Sequence, residues 1–366
     1  MAKKHTPKHQ RPKKPFLQSW LPWKGDSAGQ VVLKLVTLVM LVVFLGSAGY
    51  LVNELLILPA QTDQVNHEIQ DLFYNIEPES SQDSSQPSES GSGEESSQTE
   101  SKTESQNTRP ELTDEQAREQ IKKLQKVNPD IVGWLRIPNT VIDYPVLKSS
   151  EDDPEHYLYR NYKDEYTKYG SIFMQAGTAL DGSDQNLILY GHSMKDGRMF
   201  AQLLRFGELD VYKQSPVITF NTADGGGKWK IISVFKTNTE KSQGEPFYYT
   251  YKHFNSDSSY LNFVYQVRQR SILNTGVDFN ENDTILTLST CSYEFDGFRT
   301  VVVARQVREG EDPTVDTSKA SYNQKVVYPQ CWYERYGGSV PKWPETFEEA
   351  LEQGVIDWYT KPSENS

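Results

Sequence analysis

Three side chains in this 366-residue chain have the types and placement to do chemistry together: Cys291, His192 and Arg299. Cys291 closes the run TILTLSTC, whose β-branched and aliphatic stretch at 285–288 reads as a strand. Asp296 and Gly297 supply a turn, and Arg299 opens a second β-rich run at 300–303. A thiol at one strand's end and a guanidinium at the next strand's start are therefore expected close in space. Cysteine is the best nucleophile available at neutral pH, but only as thiolate, so it needs a base or a cationic neighbour. Of the six histidines, His5 and His9 lie in a basic head, His67 in a stalk, and His156 and His253 in loop-like surroundings. His192 alone follows a buried-strand pattern and a glycine, in LILYGHSM, which would hold an imidazole over a cleft on a rigid base. Arginine keeps its charge at any working pH and so acts as a fixed donor. The chemistry these three fit is acyl transfer through a thioester that can wait for an amine.

Each residue also has a plain structural reading. Taken singly, His192 is a hydrogen-bonded core histidine and Cys291 a small buried hydrophobe. Their joint presence with Arg299 favours catalysis. Arg305 shares the strand face of Arg299, lies too far along to meet Cys291, and is expected in a surface ion pair. Thr290 either lends its hydroxyl or N–H near an oxyanion or merely ends the strand. Glu294 is expected in a solvated turn. Asp181 and Asp184, in DGSD, are too closely spaced for a calcium loop. No metal site and no cofactor is expected. Cys331, in YPQCWYERY, is expected among aromatics rather than in a disulfide with Cys291.

The elements that must position these groups are short strands with a few helices. Thr113 and Gln116 form a capping-box pattern that starts a helix over 114–127. Strands are predicted at 132–137, 141–147, 171–174 and 186–190, with a helical stretch at 199–204. A hairpin over 217–220 and 229–237 turns around Asp224 and three glycines. Ser256 caps a helix whose Tyr260, Phe263, Val264 and Val267 face one way. The pattern predicts a mainly β protein, a barrel or sandwich with helical decorations. The tail from 309 to 366 is polar, then aromatic, with a helix predicted over 345–358; it either packs on the barrel or forms a small lobe.

Composition sets the layout around that body. The net charge of −12 conceals a basic head, residues 1–30, with seven Lys or Arg against one Asp. The head precedes an apolar run, so a membrane rather than a nucleic acid is its expected partner. Residues 35–53 carry no charge across 19 positions, enough to span a bilayer. The anchor is assigned to residues 31–58, single-pass and uncleaved, with the N-terminus cytoplasmic and the body extracellular. Residues 59–111 read as a stalk and linker. The part from 78 to 107 has no aliphatic or aromatic residue and is expected to be a flexible tether with reach of roughly 30 Å. With two cysteines, this is neither a disulfide scaffold nor a zinc ribbon.

From YGHSM, TLSTC and, at Cys-x7-Arg, FRTVVVAR, the chain resembles the sortase family. The TLSTC wording and the GWLRI and IDYPVL segments resemble class B. The resemblance covers about 112–308 and the layout of an anchor followed by a tether. Ser193 departs from it, standing where many class B members have Asn. The resemblance implies a closed barrel of about eight strands acting as a cysteine transpeptidase of the Gram-positive cell wall. Cys291 would attack the scissile carbonyl of a C-terminal sorting signal on a secreted protein. His192 would protonate the leaving amine and deprotonate the incoming one, and Arg299 would stabilise the oxyanion or hold the substrate backbone. The acceptor would be a peptidoglycan-precursor amine or, in pilus assembly, a pilin lysine. An NPxTN-like signal is implied, although other members take LPxTG-like ones, and the loop over 237–250 is expected to decide. Two rivals differ in class. A papain-like peptidase would hydrolyse, but there Cys precedes His, whereas here His192 comes 99 residues earlier. A non-enzymatic wall-binding module would leave Cys291 inert.

Overall fold

The computed structural model describes residues 20–76 and 109–362. The tether expected over 78–107 lies outside them. The chain divides into two units, Met1–His67 and Glu68–Ser366. In the first, Ser27 caps helix α1 (Ala28–Val52) through a capping box with Gln30. A π-helical turn, Asn53–Ile57, leads into α2 (Leu58–Tyr74). This helical run is long and apolar enough to cross a membrane, and its apolar window buries nothing.

In the second unit the last turns of α2 bury Ile69 and Phe73. Phe73 stacks on Trp134 at 3.9 Å. The Tyr74 hydroxyl donates to the buried Asp143 carboxylate at 2.8 Å, as does Trp134 Nε1 at 2.7 Å. The first part of the expected stalk is helical, as far as Tyr74. Within the second unit, residues 69–74 are thus held to β1 and β2, and Arg109, past the expected tether, pairs with Asp71 at 2.8 Å.

α3 (Asp114–Leu124) begins at the expected capping box, Thr113 with Gln116. The strands are β1 (Ile131–Arg136), β2 (Asp143–Lys148), β3 (Ile172–Met174) and β4 (Asn186–Tyr190). A 3₁₀ turn at Ala201–Arg205 replaces the helix predicted at 199–204. After α4 (Leu209–Gln214) come β5 (Val217–Thr222) and β6 (Gly226–Thr237). α5 (Asp257–Arg270) starts at its Ser256 cap and leads to β7 (Leu273–Asn274), β8 (Ile285–Cys291) and β9 (Arg299–Gln306). Eight strands close in the order β1-β2-β3-β4-β8-β9-β6-β5, the barrel expected from the sequence. β7 pairs instead with β10 (Ser321–Tyr322).

Short apolar alternation builds the barrel, and the C-terminal extension covers part of it. Phe235, Val301 and Val303 pack against Tyr260 and Val264 of α5, and Phe347, Ala350 and Ile356 of the extension join the same core. The extension thus packs on the barrel. It contains α6 (Gln330–Tyr336) and α7 (Phe347–Glu352). α7 is shorter than the predicted 345–358 helix, because Gly354 takes φ 62° and the chain turns back so that Ile356 can enter the core.

A second correction concerns Arg305. It is not on the surface but wholly buried, with Nη2 on Asp278 and Nη1 on Glu311 at 2.7 Å, and Arg308 closes the network on Asp278 and Asp283, both at 2.7 Å. Burial alone would raise the Glu311 carboxyl, but Arg305 and Lys230 more than reverse this and hold it at about 2. Removing the cation leaves the buried Asp283 and the partly buried Asp278 and Glu311 short of a partner, though Arg308 remains, so Arg305→Ala is expected to cost about 3 kcal/mol in urea unfolding. A loss below about 1 kcal/mol would mean that water reaches and solvates these acids.

Candidate active site

β8 ends at Cys291 and β9 begins at Arg299, and the ladder pairs these two residues directly. Opposed residues on an antiparallel pair have their Cβ atoms about 4.5–5.5 Å apart. The seven-residue loop between them is tied by Ser292 N–H to the Phe298 carbonyl at 2.9 Å and turns at Gly297, φ 72°. β4 runs parallel to β8 with Tyr190 beside Ser289, so His192 leaves its strand at the level where Cys291 ends its own. Two bonds lock the strand ends: Gly191 N–H to the Ser289 carbonyl at 3.3 Å, and Thr290 Oγ1–H to the Gly191 carbonyl at 2.8 Å. A side chain at position 191 would crowd its neighbours. A Cβ there would stand 2.5 Å from Ile172 Cδ1 and 2.9 Å from the Phe200 ring.

Cys291 is exposed and unbonded; Cys331 is a free thiol too, but buried. Burial pushes the Cys331 thiol up, which leaves it unreactive. The His192 ring is partly buried, with Nε2 2.8 Å from the Leu158 carbonyl and the Tyr159 ring at 5.2 Å. A carbonyl only accepts, so Nε2 carries the proton and Nδ1 keeps its lone pair. Arg299 places Nη1 on the carbonyls of Gly297 and Phe298, at 3.2 and 3.1 Å. Among the described residues its Nη2 has no bond, which leaves donors for a substrate. Tyr249 is buried beneath the pair and shares a hydrogen bond with Ser289 Oγ at 2.8 Å. Burial pushes its phenol up; Ser289 and the Arg299 charge pull it down, while Cys291 pushes it up. Tyr249 therefore lies within electrostatic reach of both Cys291 and Arg299.

The three residues singled out from the sequence thus lie at or just past the ends of three adjacent strands, β4, β8 and β9. Thr290 spends its hydroxyl on Gly191, the strand-end role. Glu294 is not in a solvated turn. It is half-buried and pairs with Lys236 at 2.7 Å, which holds its carboxyl below the usual range against the upward push of burial. Ser193 is buried, and its carbonyl accepts from the Tyr293 hydroxyl at 2.6 Å, tying the loop after His192 to the loop after Cys291. Sequence reasoning missed Tyr249, Tyr293 and the Leu158 carbonyl. A backbone acceptor leaves no mark in residue types. The two tyrosines sit among many others in loops without periodicity.

A Sortase domain model matches residues 135–307. Sortase B of Listeria monocytogenes is 36% identical over 181 residues, which are 50% of this chain and 70% of that protein. This chain belongs to the sortase family. It falls with the class B members: Sortase B of Staphylococcus aureus is 33% identical over 196 residues, 53% of this chain and 77% of that one. The crystal structure of sortase B from B. anthracis in complex with AAEK1 superposes with a TM-score of 0.51 at 28% identity, covering 69% of this chain and 99% of that one. The protein is accordingly a cysteine transpeptidase.

In this sortase, burial pushes the His192 ring below its ordinary 6.5, and the Leu158 carbonyl only partly offsets that. A folded state that binds the proton less readily than the unfolded chain is at full strength above about 6.5 and weakens as pH falls through the folded value. His192→Gln cannot titrate and is expected to flatten that part of the stability curve. Urea midpoints between pH 7.5 and 5 check this; an unchanged slope in the variant would assign the dependence to other groups.

Proposed function

We propose that this sortase is a single-pass membrane enzyme with its body outside the cell, and that Cys291, His192 and Arg299 carry its reaction. The basic head lies in the cytoplasm and the apolar helix anchors the chain. The Cys291 thiolate attacks the scissile carbonyl of a C-terminal sorting signal on a secreted protein. The proton that His192 gives to the leaving amine, as the C–S bond forms and the C–N bond breaks, is the one its neutral ring first takes from the Cys291 thiol to make the thiolate. An amine of a cell-wall precursor then attacks the thioester, His192 takes its proton, and Cys291 leaves as thiolate. Arg299 faces the oxygen that gathers charge in both steps.

What supports this reading is the register: Cys291 opposite Arg299 on one ladder, with His192 delivered alongside by the parallel neighbour strand. The exposed thiol and the unengaged Nη2 fit a groove open to a peptide. The test is to incubate the full chain in detergent with sorting-signal peptides of NPxTN and LPxTG type and excess amine, and to separate the products. The expected product is the peptide joined to the amine. Hydrolysis that no amine diverts would make the enzyme a peptidase, and preference for a lysine side chain over a peptidoglycan stem amine would make it a pilus-assembling sortase.

A further inference from the structure

α6 lies outside the matched sortase domain and packs on the loop that joins Cys291 to Arg299. Arg335 Nη1 donates to the Glu294 carbonyl at 2.9 Å, and its guanidinium sits over the Phe295 ring at 5.1 Å. Trp332 meets the same ring at 6.4 Å and is itself backed by Tyr328, stacked at 4.2 Å. Phe295 in turn packs on Phe298 at 4.7 Å, next to Arg299. The loop is held from the other side as well: Gln243 Nε2 donates to the Asp296 carbonyl at 2.8 Å and Thr239 Oγ1 to the Gly297 carbonyl at 2.9 Å. These two grips meet at Gly244, where a Cβ would stand 2.7 Å from Gln330 Cβ.

We propose that α6 is a clamp that fixes Arg299 against Cys291, with Arg335 and Trp332 as its positioning residues. The inference rests on the catalytic reading of Cys291 and Arg299. That pair is the last rung of the β8–β9 ladder, and terminal rungs open first unless something outside the ladder holds them. Within itself the loop beyond the rung has only short backbone bonds, Ser292 N–H to the Phe298 carbonyl and Phe298 N–H to the Phe295 carbonyl, so much of its hold comes from other elements. α6 supplies one of these holds from a distant part of the sequence, on Glu294 and Phe295. Neither Arg335 nor Trp332 touches the reacting atoms, so their effect must pass through the loop.

The test is Arg335→Ala in the full chain; the residue is exposed, so the fold should survive. The expected result is a kcat about tenfold lower with KM within about twofold, well inside what a misplacement of about 1 Å can cost. Amide exchange over 292–298 should quicken, and Arg335→Lys, which keeps a cation and a donor, should recover most of the rate. Wild-type kcat, or a change confined to KM, would overturn the clamp even if exchange quickens. Cys291→Ala runs beside it as a separate control. Transfer retained by that control would sink the catalytic reading, whereas transfer lost there but intact in Arg335→Ala sinks the clamp alone.

Discussion

Cys291→Ala is expected to lose acyl-enzyme formation and transfer by about 10⁴-fold or more while the protein stays folded. Nucleophile removal from a triad costs that much because no neighbouring group can form the covalent intermediate. The fold is indifferent because the side chain is exposed at a strand end and is not bonded to the other cysteine. Alanine supports the same extended backbone, so the unfolding free energy should move by no more than about 0.5 kcal/mol. Cys331 offers no rescue, since it is buried in α6 with its thiol pushed up. Intact-mass analysis after peptide addition checks the first half and urea unfolding the second. Residual transfer near the wild-type rate would remove Cys291 from the mechanism.

Arg299→Lys is expected to lower kcat/KM by about 10²–10³-fold, the loss seen when an oxyanion donor is removed. The guanidinium has Nη1 on the carbonyls of Gly297 and Phe298, and in the proposed mechanism its remaining donors serve the substrate. An ammonium carries the charge but no planar fork, so it cannot hold the loop and reach the substrate at once. The arginine is only partly buried, which limits the stability cost to about 1 kcal/mol. Steady-state transfer kinetics with a matched peptide is the check. Turnover within threefold of wild type would mean that Arg299 is structural.

Much of the site was legible because it is built from short-range rules. NLILY at 186–190 is a strand over those same residues, and the glycine after it delivers His192 to the strand end. The Asp296-Gly297 turn, with Cys291 and Arg299 eight apart, already implied their pairing. The capping boxes at Thr113 and Ser256 set helix starts to the residue. What could not be read were contacts made across the fold. Arg305 looks like a surface charge because its partners, Asp278, Asp283 and Glu311, sit in polar stretches and converge only once β9 is in the barrel. Glu294 and Lys236 are distant in sequence and meet only through the β6–β9 ladder. The aromatic run from Tyr328 announced burial without naming its target, the loop beside the thiol. The same limit hid the packing of Phe73 on Trp134.

The central claim is that sulfur, imidazole and guanidinium face one groove and act on one carbonyl. A crystal structure of the full chain in detergent, trapped with a sorting-signal peptide carrying a thiol-reactive group in place of the scissile bond, tests it most directly. The expected result is a covalent bond to Cys291 Sγ, with Arg299 and the His192 ring both within about 3.2 Å of the trapped group. An adduct on Cys291 with either of the other two turned away from it would contradict the account.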